Sequence, residues 1–149
     1  MKKGEMLGKA LVLATNAHAE QMDKGGNPYI LHPLAVMALL NTDDEELQCI
    51  ALLHDAVEDT KTTYKELRDA GMSERVILGV RAMTKQRGQT FDEYRDGIFE
   101  NKDAMLVKRA DLTHNSDIRR LKGVSPKDID RMVKYHKLFL EIGERLERE

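Results

Sequence analysis

Residues 51–60 read ALLHDAVEDT, and the fold turns on how that stretch is understood. Ile50, Ala51, Leu52, Leu53, Ala56 and Val57 surround His54 and Asp55 with apolar side chains, the composition of a helix buried on nearly all sides. Yet His54, Asp55, Glu58 and Asp59 put one imidazole and three carboxylates within six residues. Burying an unpaired carboxylate costs several kcal/mol, so each interior one needs a partner. An Arg or Lys from elsewhere would make a core ion pair. A divalent metal would take imidazole and carboxylate together.

Outward from this segment the apolar positions keep a helical period. Leu7, Ala10, Leu11, Ala14 and Ala17 share one stripe, followed by His18 and Gln21, and Gly25-Gly26-Asn27-Pro28 breaks it by turn chemistry. The pattern predicts a second helix from about His32 to Leu40, with Pro33 in its first turn. Asn41-Thr42-Asp43-Asp44 caps a third, roughly Glu45 to Val57. Thr62-Thr63 with Glu66 starts a short helix ending at Gly71, and Ser73 opens another to about Met83. After a polar loop from Lys85 to Thr90, helices are expected near Phe91–Glu100 and from Asp103 to Leu121, and Ser125-Pro126 starts a charged last one. With no repeat, low-complexity tract or linker, residues 1–149 are expected to form one all-α domain, a compact multi-helix bundle.

Composition narrows the function classes. Hydrophobic content of 41% with 34% charged fits a soluble globular chain and argues against disorder. A net charge of −2 gives no reason to expect a nucleic-acid partner. No apolar run approaches the ~20 residues that span a bilayer, so no membrane partner is expected. The N-terminal MKKGEMLGKALVLA is basic and then apolar, but it continues into NAHAEQMDK with helical period, so a first helix is expected and not a signal peptide. The single Cys49 precludes an intramolecular disulfide and a Cys-based zinc site, which fits a reducing compartment, and the cytoplasm is the expected location. Nothing in the sequence specifies an oligomeric state.

Two further segments repeat the opening anomaly. His32 begins a helix amid Tyr29, Ile30, Leu31 and Leu34. In DAMLVKRADLTHNSDIRRL, residues 103–121, the apolar face runs Ala104, Val107, Asp111, His114 and Asn115, Ile118 and Leu121. Asp111 therefore sits where the period calls for an apolar side chain, with Asn115 one turn on. Three helices each direct a metal-type ligand inward, and chance ion pairing accounts for one such helix more readily than for three.

An isolated His, a His-Asp pair and a downstream Asp resemble the ligand pattern of the HD-domain metal-dependent phosphohydrolases. The likeness is closer still to the hydrolase domain of the RelA/SpoT family and its single-domain relatives, the small alarmone hydrolases. AHAEQMDKGGNPYILHPLAV, ALLHDAVEDT and VKRADLTHNSDIRRL resemble that family's three blocks, spanning about residues 10–121. The resemblance implies an HD-domain bundle with a buried metal site, held by His32, His54, Asp55 and Asp111. The ion is usually manganese in the family, and two imidazoles with two carboxylates also suit Fe, Co or Zn. By the same resemblance Glu58 and Asp59 position and deprotonate the attacking water, and Lys24 and Asn115 contact a small nucleotide substrate. The spacing agrees, because Glu58 lies one helical turn after His54 and Asp59 one turn after Asp55.

The implied reaction removes a phosphate or pyrophosphate group from a nucleotide, with a (p)ppGpp-type alarmone losing its 3′-pyrophosphate as the leading case. The family usually carries an Arg just before the Lys of the Gly-rich turn, where it stacks on guanine, and here that position in QMDKGG is Asp23. An Asp neither stacks like a guanidinium nor attracts a polyphosphate. Hydrolysis of another nucleotide or nucleoside polyphosphate is the alternative, and a metal- or nucleotide-binding sensor that does not hydrolyse is the reading from another class. The length leaves no room for a synthetase domain, so hydrolysis alone is expected. His18 is expected to support the site from the core and His136 to lie on the surface. Lys108, Arg109, Arg119, Arg120 and Lys122 read mostly as a solvated basic face. Met83-Thr84-Lys85 resembles a family block that ends near the pocket.

Overall fold

Side-chain caps set most of the helix starts. Asp44, Thr63, Ser73 and Asn101 each accept from a backbone N–H three residues on, and Thr90 with Glu93 and Ser125 with Asp128 close reciprocal capping boxes. In the computed structural model, which describes residues 1–148, the elements run α1 (Glu5–Ala17), α2 (Leu31–Leu40), α3 (Glu45–Leu53), α4 (Ala56–Asp59), α5 (Tyr64–Asp69), α6 (Glu74–Ala82), α7 (Phe91–Phe99), α8 (Lys102–Asn115) and α9 (Pro126–Glu147), with a 3₁₀ turn at Ile118–Arg120 before α9. Among the described residues the one β feature is an isolated antiparallel bridge between Met22 and Pro28. The all-α expectation holds.

Three boundaries differ from the sequence reading, and each shapes the site. The third helix stops at Leu53 and restarts as α4, because the His54 imidazole takes the Ala51 carbonyl at 2.6 Å that an unbroken helix would give to a backbone N–H. The helix expected to reach Leu121 ends at Asn115. Asp117 caps the 3₁₀ turn by accepting from Arg119 N at 3.0 Å, and the chain folds back over the helix end. The first helix ends at Ala17, and His18 to Tyr29 form a loop closed by Tyr29 N donating to Gln21 O and Asp23 N donating to Asn27 O, both at 2.8 Å.

Helix α3 is the centre of the core, with Leu47 and every residue from Cys49 to Leu53 buried. It packs against α1, α2, α6 and α8, while α8 also lies on α2 and α9. Gly79 lets α6 approach this closely, since a Cβ there would fall 2.5 Å from Ile50 Cδ1. The buried apolar residues of these helices form one continuous cluster. The polar ends of α2, α3 and α8 meet at one side of it.

Arg75 on α6 ties the other side together. Its guanidinium bonds Asp44, Glu46 and Asp103, each at 2.8 Å. The Arg75 hydrogen bonds hold the Asp44 carboxyl below its ordinary range against its partial burial. A carboxyl depressed in the folded state stabilises above its unfolded pKa and loses that contribution as pH falls through its folded one. Arg75→Ala is expected to cost about 1 kcal/mol at neutral pH, a small value because the partners are part-exposed. Melting curves at pH 7 and pH 3 check this: the gap between wild type and variant should close in acid, and a gap independent of pH would refute the ionic account.

Candidate metal centre

His32 in the first turn of α2, His54 and Asp55 in the break between α3 and α4, and Asp111 on α8 converge at one point. One ligand atom from each lies within 4.8 Å of all the others, and the two histidines and Asp111 are buried. His32 Nε2 is 2.8 Å from Asp111 Oδ1 and 3.6 Å from Asp55 Oδ2. His54 Nε2 is 3.0 Å from Asp55 Oδ2 and 3.3 Å from Asp111 Oδ1. The break after Leu53 aims adjacent residues His54 and Asp55 at the same point, which an unbroken helix would fan about 100° apart.

The residues around this cluster fit it for a cation. His54 Nδ1 donates to the Ala51 carbonyl, which turns the Nε2 lone pair inward. His32 Nδ1 lies 2.8 Å from Nδ1 of His114, whose imidazole is pushed down to about 4 by burial, Arg120 and His32 and is therefore neutral and able to accept. With His32 donating there, two imidazole lone pairs and two carboxylates face one another, four acceptors without a donor. Only a proton or a cation satisfies such a set. Burial works against a proton on His54, yet Asp55 and Asp111 outweigh it and hold the imidazole well above its ordinary value. The group that best answers a site this negative is a divalent metal, and two nitrogens with two oxygens suit Mn, Fe, Co or Zn.

Asp111 and Asp55 are each held from behind. Asn115 Nδ2 donates to Asp111 Oδ1 at 3.1 Å, and the half-buried Lys108 ammonium donates to Oδ2 at 3.0 Å. Burial raises the Asp111 pKa, but Lys108, His32 and His54 more than offset it and keep the carboxyl well below its ordinary range. The Tyr29 hydroxyl donates to Asp55 Oδ2 at 2.5 Å, and burial with the Asp55 charge pushes that phenol far up, so it stays a donor. Lys108 is thus a half-buried partner of Asp111, an exception within the basic face that the sequence reads as mostly solvated. Tyr29, Lys108 and His114 lie inside the blocks that resemble the family, but the sequence reading assigns none of them a part in the site. Lys108 and His114 lie three residues either side of Asp111 and Tyr29 three before His32, a spacing that could have flagged them.

Glu58 and Asp59 sit at the exposed rim, outside the four-residue cluster. Lys85 N donates to Glu58 Oε1 at 2.6 Å, so the Met83-Thr84-Lys85 block does reach the site. Burial, Asp59 and Asp55 raise the Glu58 pKa; burial and Asp55 raise that of Asp59. Gln21 hydrogen bonds the Asp59 side chain and accepts from His18 Nδ1 at 2.7 Å, which gives the buried His18 its supporting contact. Asn115, Lys24 and Tyr29 line a cavity of about 330 Å³ beside the cluster, together with Asp23, Arg120 and Tyr135. Asp23 Oδ1 accepts from Gly25 N and Asn27 N, both at 2.9 Å, so this carboxylate shapes the Gly-rich turn. Exposed His136 stays away from the site.

Residues 10–121, which contain all four clustered ligands, match the sequence pattern of the HD domain. The chain belongs to the HD-domain family. It is 37% identical over 122 residues to a guanosine-3′,5′-bis(diphosphate) 3′-pyrophosphohydrolase of Aquifex aeolicus (strain VF5), covering 74% of this HD-domain chain. It is 32% identical over 121 residues to the bifunctional (p)ppGpp synthase/hydrolase SpoT of Escherichia coli (strain K12), covering 73%. The chain spans 17% of the length of each of these relatives. A solved structure, described as a metazoan ortholog of SpoT that hydrolyzes ppGpp, superposes with a TM-score of 0.75 at 25% identity, covering 92% of this chain and 84% of the other. No helix among the described residues is long and apolar enough to cross a membrane.

Proposed function

We propose that this HD-domain chain is a metal-dependent phosphohydrolase that removes the 3′-pyrophosphate of a (p)ppGpp-type nucleotide. The observation that carries the reading is the four-acceptor cluster of His32, His54, Asp55 and Asp111, beside a cavity large enough for a small ligand whose wall includes Tyr29 and Asn115, the partners of Asp55 and Asp111. The names of its relatives supply the substrate class. In this reading the four residues hold one divalent ion, Mn²⁺, and residues 1–149 act as one hydrolase domain in the cytoplasm on a small-molecule substrate.

A divalent ion held there supplies Lewis acidity toward a phosphoryl oxygen and makes water acidic enough to deprotonate near neutral pH. The chain's own groups do the rest. Glu58 and Asp59, with pKa values raised toward the working range, take the proton of the attacking water. Lys85 N fixes Glu58, and Gln21, oriented by His18, fixes Asp59. Asn115 and Lys24 border the cavity where the nucleotide lies. Asp23, an acid on the same wall, favours one variation, a nucleotide or nucleoside polyphosphate other than (p)ppGpp.

The test is a substrate panel with Mn²⁺, following pyrophosphate and phosphate release from ppGpp and from common nucleotides. Release of pyrophosphate from ppGpp is expected. Cleavage of other nucleotides with ppGpp untouched would overturn the substrate and keep the chemistry. Binding without any hydrolysis would replace the enzyme with a sensor module.

A further inference from the structure

The cavity wall holds charged side chains whose partners are unevenly matched. Asp128 is bonded by Arg131, and Asp117 by Arg119 at 2.8 Å, so both acids are answered. Arg120 is different. Its Nη1 donates to Asn115 Oδ1 at 3.0 Å and to the His114 carbonyl at 3.1 Å. Its Nη2 lies 3.6 Å from Asp23 Oδ2, beyond hydrogen-bond reach, and Asp23 already accepts two backbone N–H groups through Oδ1. The guanidinium is therefore fixed in place by neutral acceptors, and its ion pair with Asp23 leaves Nη2 without a hydrogen bond. The backbone beneath it is closely packed: a Cβ on Gly25 would come within 2.1 Å of the Arg120 carbonyl oxygen, so the Gly-rich turn and the 3₁₀ turn are in direct contact.

We propose that Arg120 binds a second phosphate of the substrate, apart from the one cleaved, and that Asp23 sets the strength of that grip. Asn115 bonds both Arg120 and Asp111, so the guanidinium stands one side chain away from the cluster. An anion on it is a different group from one over the cluster. A pre-positioned guanidinium with an unspent edge matches phosphate oxygens in a fork, which an ammonium cannot do. Asp23, close but not bonded, weakens this cation for every anion and selects ligands that bring more than one charge. The ligand class is a nucleotide carrying a phosphate well separated from the scissile group. This rests on the hydrolase reading above and names what its cavity recognises.

The experiment compares GDP with guanosine, titrated calorimetrically into the full chain in EDTA, so that phosphate is not drawn to a metal. The wild type should bind GDP about tenfold more tightly than guanosine, the worth of hydrogen bonds to a charged group. Arg120→Gln keeps donors for Asn115 and the His114 carbonyl, and unchanged melting would verify the fold. It should erase the GDP preference, while Arg120→Lys retains part of it. Asp23→Asn keeps the acceptor for Gly25 N and Asn27 N and should widen the preference about threefold by releasing charge. A purely structural pair predicts the opposite, a narrowed preference in Asp23→Asn. That result, an unchanged preference in either Arg120→Gln or Asp23→Asn, or a wild type indifferent to the diphosphate would each overturn the proposal. With Mn²⁺, Arg120→Gln should raise KM for ppGpp about tenfold and leave kcat nearly unchanged. Turnover of ppGpp with KM unmoved would sink this proposal alone. A wild type that cleaves nothing would sink the hydrolase reading, and the GDP-to-guanosine ratio would still judge Arg120.

Discussion

Asp111→Ala protein, loaded with Mn²⁺ and desalted, should fall from about one metal per chain to nearly none, and its turnover should fall with it. The effect is large for two reasons. Asp111 Oδ1 lies close to both imidazole nitrogens, at 2.8 and 3.3 Å, so its loss opens the cluster. Its removal also takes away the carboxylate that pairs with the half-buried Lys108 ammonium beside the site. A buried charge stripped of its partner costs about 3–5 kcal/mol and repels any cation arriving next to it. Because that cost can unfold the chain, Asp111→Asn serves as a companion: it keeps the shape and the Lys108 contact and removes the charge. His114→Ala grades the scale, since it leaves all four ligands and frees only the His32 ring, with an expected 10- to 100-fold loss of metal affinity. Full metal occupancy in folded Asp111→Asn and His54→Ala protein would sink the ligand assignment.

Replacing Glu58 and Asp59 together by Ala should separate binding from chemistry. Neither residue belongs to the four-residue cluster, so metal stoichiometry should stay near the wild-type value. Turnover should drop by roughly 10²- to 10⁴-fold, the usual worth of a positioned general base. Each carboxylate is held in place from outside the cluster, Glu58 by Lys85 N and Asp59 by Gln21. Their pKa values are raised by partial burial and by the neighbouring Asp55 charge, so removing both is also expected to stabilise the fold slightly. A slower enzyme with a higher melting temperature and full metal content is the expected combination. Undiminished turnover would remove both residues from the mechanism.

The helices and most caps were legible because their causes are local. Asp44, Ser73, Thr90 and Ser125 begin helices by bonding backbone three residues away, and a linear pattern records that. The ends were harder. The stops at Leu53 and Asn115 depend on side chains that turn back on their own backbone or wait for a distant partner, as His54 does with Ala51 and Asn115 with Arg120.

By itself the sequence determined the helical class and marked polar side chains standing in apolar periods, and its resemblance to the HD-type blocks picked out the four of them that meet. Only the tertiary structure decided what surrounds them. Tyr29 behind Asp55, His114 behind His32 and Arg120 near Asp23 are pairings across 26 to 97 residues, and Lys108 behind Asp111 is one around a helix turn. A period reports which way one side chain points. It takes the packing of α2, α3 and α8 together to set which charges meet, and burial in that packing is what makes each meeting strong.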